Sequence, residues 1–119
     1  MLAFKTTTVT MPSTRATTSI AFGSVHFDSR IRTAEVALKG FTARFDNNQD
    51  HNFGELDIFF REIDVQEKSV SFTVALMLRD FSGEIDDAYS GHVIVLVIAD
   101  LENNSPVIFE KTVSRVIME

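Results

Sequence analysis

Carboxylates are the chemically capable groups that this sequence concentrates, and it gathers them in two short runs. The first reads Asp46-Asn47-Asn48-Gln49-Asp50-His51-Asn52 and the second Asp80-Phe81-Ser82-Gly83-Glu84-Ile85-Asp86-Asp87-Ala88-Tyr89. Asp46, Asn48 and Asp50 stand two apart, as the first three ligands of a calcium loop do. The rest of that motif is missing. Its sixth position needs Gly and holds His51; its twelfth needs a bidentate Glu and holds Asp57. Asx side chains also bond their own backbone and so favour turns without any ion. A plain hairpin loop therefore accounts for the first run. No cofactor is required, and calcium is kept only as an alternative occupant of the acidic loops.

In the second run Asp80, Glu84, Asp86 and Asp87 are interleaved with Phe81, Ile85 and Tyr89. Carboxylates beside apolar and aromatic groups suit a sugar site, where acids accept hydroxyl protons and ring faces stack on C–H surfaces. They equally suit a protein interface, where Tyr is enriched. The candidate ligand-binding residues are Asp80, Asp86, Asp87 and Tyr89, joined by Asp50 and His51 of the first run. Two carboxylates working as acid and base in glycoside hydrolysis need a defined separation and a cleft, and the sequence specifies neither. His26, His51 and His92 lie on separate segments without metal-ligand spacing. There is no G-x-S-x-G elbow and no phosphate-binding glycine loop. The expectation is a protein that binds rather than catalyses.

These loops must hang on strands. Val70, Phe72, Val74, Leu76 and Leu78 alternate cleanly, and Leu56, Ile58 and Phe60 alternate with Glu55, Asp57 and Arg61. Ile20, Phe22, Val25 and Phe27 suggest another strand. Ala34, Val36 and Leu38 form one apolar set and Phe41, Ala43 and Phe45 the next. The phase changes across Gly40, which predicts a bulge there. From His92 to Ala99 both faces are apolar, so both must be covered. One cover is a second sheet and the other a neighbouring subunit, so the candidate oligomer interface is drawn from this strand, with either the set Val93, Val95 and Val97 or the set Ile94, Leu96 and Ile98 at the contact. Asn103-Asn104-Ser105-Pro106 reads as a turn before a last strand from Val107. Residues 1–19, rich in Thr and carrying Pro12, read as an extended arm or edge strand. Residues 20–119 then form a single domain. The predicted fold is all-β: a small antiparallel β-sandwich of six or seven strands with an extended N-terminal arm.

Composition agrees and removes several function classes. The chain has 119 residues, of which 45% are hydrophobic, enough for one packed domain. With 11 Phe, one Tyr and no Trp, the core must rest on Phe and β-branched residues. No cysteine is present, which excludes disulfides, a thiol nucleophile and Cys-ligated metals. A formal net charge of −6 argues against broad electrostatic binding to nucleic acid or an anionic membrane. No leader or membrane-length apolar segment is visible. Synthesis in the cytoplasm, with leaderless release or incorporation into a particle, is the expectation.

Several stretches between residues 20 and 101 resemble the H-type lectin module of snail agglutinins and the discoidin C-terminal domain. They are Phe27-Asp28-Ser29-Arg30-Ile31, Val36-Ala37-Leu38-Lys39-Gly40-Phe41, the Asp/Asn-rich loop from Asp46 to Asn52, Val70-Ser71-Phe72-Thr73-Val74, and Tyr89-Ser90-Gly91-His92-Val93 leading to Leu96-Val97-Ile98-Ala99. The family's Trp before its binding loop has no counterpart at Arg79-Asp80-Phe81. The resemblance implies a six-stranded sandwich forming a homotrimer, with sugar pockets between subunits and with Asp80, Asp86, Asp87 and Tyr89 nearest the binding segments. The expected function is carbohydrate binding by an oligomeric, non-enzymatic module. The alternative is a structural or adaptor subunit, such as a fibre tip, cap or baseplate component of a phage-tail-like particle, with a protein partner in place of a glycan.

Overall fold

The structure, a computed structural model, describes residues 1–46, 53–80 and 87–102, and for Phe53 the backbone only. Six strands follow one another: β1 (Leu2–Thr14), β2 (Ser19–His26), β3 (Ile31–Phe45), β4 (Phe53–Gln66), β5 (Ser69–Asp80) and β6 (Tyr89–Leu101). They form two three-stranded antiparallel sheets. The front sheet has the order β1-β6-β3 and the back sheet β2-β5-β4. Over the described residues the fold is thus all-β, a small sandwich of six strands. The segment expected to form an arm or edge strand contains β1, which lies at the edge of the front sheet and pairs with β6 of its own chain. The strand expected from Val107 falls outside the described residues.

The two central strands carry the core. On β5, Val70, Phe72, Val74, Leu76 and Leu78 face the front sheet; on β6, Tyr89, Val93, Val95, Val97, Ala99 and Leu101 face the back one. Burying each Val or Leu contributes about 1.5–3 kcal/mol, so these two period-2 stripes dominate the drive to fold. Val93, Val95 and Val97 are fully buried inside the chain's own core. They are therefore not available to a neighbouring subunit, and their place in the expected interface is corrected. Ile94, Leu96 and Ile98 point the other way. They are half-buried on the outer face of the front sheet, between Thr8, Thr6 and Phe4 of β1 and Gly40, Ala37 and Glu35 of β3.

The phase change in β3 is a bulge. Leu38 opposes Val95 and Gly40 opposes Ile94, so Lys39 is the extra residue, and Phe41 returns to oppose the core-facing Val93. The glycine itself is not demanded by conformation. Its φ lies outside the left-handed region, and an added Cβ would meet only Ile94 Cδ1, at 3.6 Å.

Left-handed backbone occurs instead at Glu62 and Glu67, both with φ 56°. Glu62 belongs to the register shift between Arg61 and Asp64, where its carboxylate accepts a 2.8 Å bond from the Thr73 hydroxyl. Glu67 is the first residue of the two-residue turn joining Gln66 to Ser69. That turn anchors the β2–β3 loop: the Glu67 carbonyl accepts from Ile31 N–H and the Lys68 carbonyl from Phe27 N–H, each at 2.8 Å. A side chain costs roughly 1–2 kcal/mol in left-handed backbone, and glycine costs less there. The Arg30–Glu67 pair, at 3.8 Å and well exposed, offsets little. Glu67→Gly should therefore raise stability by about 0.5–1 kcal/mol. Thermal melting would show it as a rise of a few degrees; an unchanged or lower midpoint would count against the strain.

Candidate functional site

Strand direction decides which loops share an end. Phe45 and Thr14 both oppose Tyr89, and Phe53 opposes Asp80. The Asp46 N–H donates to the Ala88 carbonyl at 2.9 Å, and the Tyr89 hydroxyl to the Ala16 carbonyl at 2.8 Å. The β1–β2, β3–β4 and β5–β6 connections therefore leave the sandwich at one end. Met1, the β2–β3 loop, the β4–β5 turn and Leu101 sit at the other, where the Leu101 N–H bonds the Met1 carbonyl at 2.8 Å. The two acidic runs are far apart in sequence, yet the strands that flank them end side by side.

Asp80 closes β5 and Asp87 stands two residues before the start of β6, both at this end and both half-buried. Asp50, His51 and Asp86 lie outside the described residues. Tyr89 does not play the part expected of it. Its side chain has no exposed surface and belongs to the core. Its hydroxyl reaches the Ala16 carbonyl and, at 3.3 Å, the Leu76 carbonyl. Burial pushes its pKa up, against a smaller opposing effect from the Ser19 backbone. A ring packed between two sheets offers no face to a ligand. The reason is its parity on β6, which it shares with Val93, Val95 and Val97.

A depression that the sequence did not announce lies beside this end, on the front sheet. It encloses about 390 Å³, and its polar walls are Thr10, Ser13, Arg44, Asp46, Ser90 and His92. Strand geometry explains the gathering. Ser90 and His92 alternate with Gly91 on one face of β6; Arg44 opposes Ser90 on one side, and Thr10 opposes His92 on the other. The i, i+2 spacing of Ser90 and His92 was the available signal, but it carries meaning only once β1 and β3 are known to flank β6.

Asp46 is the electrostatic centre of the depression. The Ser90 hydroxyl donates to its Oδ1 at 2.6 Å, and Arg44 Nε stands 3.7 Å from the same oxygen. Hydrogen bonding from Ser13 first, and then from Ser90, holds its carboxyl below the usual 3.8; partial desolvation opposes this and Arg44 assists it. The carboxylate is an acceptor beside the Arg44 donor and the exposed imidazole of His92. Such a set of short, polar groups in a shallow hollow can hydrogen-bond hydroxyls. Among the described residues no group of three or more His, Asp or Glu is placed to hold a metal ion.

Comparison with known proteins gives no match: no protein-family model, no curated protein and no solved structure matches the chain.

Proposed function

We propose that the chain is a non-enzymatic binding module that recognises carbohydrate at the end where the strands flanking both acidic runs terminate. The observation that supports this most is the placement of Asp46. It opens the first acidic run, its N–H is bonded to Ala88 of the second, and it forms a wall of the polar depression. With Tyr89 buried, recognition rests on hydrogen bonds from hydroxyls to Asp46 and from Arg44 to the ligand, not on stacking. The six-stranded sandwich is compatible with the lectin-like reading.

Asp46→Ala tests it. Glycan-array binding or calorimetry should show at least a tenfold loss, since a charged hydrogen-bond partner contributes about 1.5–3 kcal/mol. The carboxylate's lowered pKa sets the pH window. The group loses its charge at a lower pH than an ordinary aspartate, so binding should persist further into acid than a carboxylate of normal pKa would allow. Any stability the ionised form adds has the same sign, being present above the unfolded pKa and lost as acid protonates the folded group. A wild-type protein that binds no glycan, or an Asp46→Ala variant that binds as well as the parent, would rule the reading out.

One observation favours the second reading, a structural or adaptor subunit. Large apolar side chains stand on the outer faces of both sheets: Phe4, 60% exposed, on the front, and Ile20, Phe22 and Phe59, 48%, 79% and 43% exposed, on the back. Faces of this kind suit contacts with other subunits. On this second reading the half-buried Ile94, Leu96 and Ile98 of the front face would add to the surface that meets other subunits.

A further inference from the structure

The edges of the two sheets are not equally protected. Sheet edges invite another strand, and proteins blunt them with Lys, Pro, bulges or shortness. β1 carries Lys5 and Pro12, and its register shifts between Met11 and Thr14. β3 is broken by the bulge at Lys39. β2 has only 8 residues, and Lys5 Nζ crosses its end to bond the His26 carbonyl. β4 has register shifts too, between Phe53 and Glu55 and between Arg61 and Asp64, but they bound a stretch from Glu55 to Arg61 whose pairing with β5 is regular and which holds neither Lys nor Pro. Among the described residues no strand pairs with its far side.

The side chains on the outer face of this stretch have a two-fold pattern. Asp57, Phe59 and Arg61 are all exposed and stand at alternate positions. Arg61 lies over the ring of its own Phe59, 5.4 Å from the centroid. Glu55 is already bridged to Arg79 at 3.9 Å, whereas Asp57 has no ion-pair partner among the described residues. The chain thus presents an uncompensated acid and an uncompensated base, equally spaced about a half-exposed ring, on an open strand edge.

We propose that a second copy of this chain pairs antiparallel with β4, about a two-fold axis at Phe59. Both back sheets then join into one six-stranded sheet. The pairing sets Phe59 against Phe59 of the second copy, and each Asp57 against Arg61 of the other. Cross-strand aromatic and opposite-charge pairs are both stabilising, while like charges directly opposed are not. Register follows from this. An axis at Asp57 opposes two carboxylates, and one at Arg61 opposes two guanidinium groups. An axis at Ile58 sets Asp57 against a ring and turns Arg61 toward the already bridged Glu55. Only the axis at Phe59 satisfies both free charges and the ring together. The contact is isologous and closes on itself, so it gives a dimer rather than the trimer that the lectin resemblance implies. It is independent of the sugar site, because β4 contributes no residue to the polar depression.

The absence of native cysteine makes the test clean. Opposed residues of an antiparallel pair have Cα atoms about 4.5–5.5 Å apart, within the roughly 4.4–6.8 Å that a disulfide spans. Phe59→Cys should form a disulfide-linked dimer readily under mild oxidation. Phe22→Cys is more exposed but lies on β2, at the opposite edge of the same sheet, and should lag at least tenfold. Light scattering on the wild type should give twice the 13.3 kDa chain mass. Asp57→Arg and Arg61→Asp should each weaken the dimer at least tenfold, and the double exchange should restore it. Both positions are exposed, so folding of the variants is not at risk, and circular dichroism confirms it. A monomeric or trimeric wild type overturns the proposal. So does equal crosslinking from Phe22→Cys, or failure of the double exchange to rescue.

Discussion

Gly91→Ala is expected to cost more than about 4 kcal/mol, or to prevent folding altogether. An added Cβ would lie 1.9 Å from the Thr42 carbonyl oxygen, 2.9 Å from the carbon of the same carbonyl and 3.1 Å from Ala43 Cα. All three are backbone atoms of the neighbouring strand, so no rotamer change relieves the clash. The remedy is to push β3 away from β6, breaking the ladder where Ala43 opposes Gly91 and Arg44 opposes Ser90. Conformation is not the cause, since the φ of Gly91 lies outside the left-handed region. The requirement is for close approach alone. Gly40→Ala supplies the comparison: its Cβ meets only a flexible Ile94 methyl at ordinary contact distance, so stability should move by less than about 1 kcal/mol. Urea unfolding of the two variants beside the parent would measure both. A Gly91→Ala protein that unfolds like the parent would show that the strands do not approach so closely. The position matters to function because Gly91 lies between Ser90 and His92. A variant that folded with β3 displaced would also be expected to open the polar depression and lose whatever Asp46 helps to hold.

What the sequence made legible follows from where each strand lies. β5 and β6 are central, flanked on both sides, and their alternation can be read directly because every core-facing position must be apolar. The bulge in β3 was legible for the same reason: Phe41 opposes Val93 after the slip just as Leu38 opposes Val95 before it. β2 was harder. Its large apolar residues, Ile20 and Phe22, suggest an inward face, yet they point outward. Ala21, Gly23 and Val25 line the inside instead, because Phe72 occupies the space there: a Cβ on Gly23 would lie 2.5 Å from its ring. Small residues facing one large neighbour carry no hydrophobic signal. The candidate site shows the same limit. The acidic runs stand out in sequence, but their shared end depends on which strands run in which direction. Ser90, His92 and Arg44 become neighbours only through the β3–β6 register. Tyr89 follows a polar loop and so reads as a surface group, but strand parity assigns it to the core.

Tyr89→Phe should therefore behave as a core mutation and not as a binding one. The hydroxyl serves carbonyls from two separate elements, Ala16 in the β1–β2 connection and Leu76 in β5. Removing it takes this donor from the buried Leu76 carbonyl and from the Ala16 carbonyl, which water can still reach, at a cost of about 0.5–1.5 kcal/mol. Tyr89→Ala adds a cavity between the sheets, and the total should reach about 3–5 kcal/mol. Alkaline titration gives a second and independent measurement. The folded protein holds the Tyr89 pKa above 10.0 because burial disfavours the phenolate. The stability tied to its neutral form is thus complete below the unfolded value of 10.0 and declines as pH rises from there through the folded value. The gap in stability between the parent and Tyr89→Phe should narrow over that range. As Tyr89 is the only tyrosine, tyrosinate absorbance reports on this group alone and should appear late, together with unfolding. If instead the phenol ionises near 10.0 while the protein stays folded, the ring is open to solvent, and the expected role of Tyr89 as a ligand-facing group at the loop end would return.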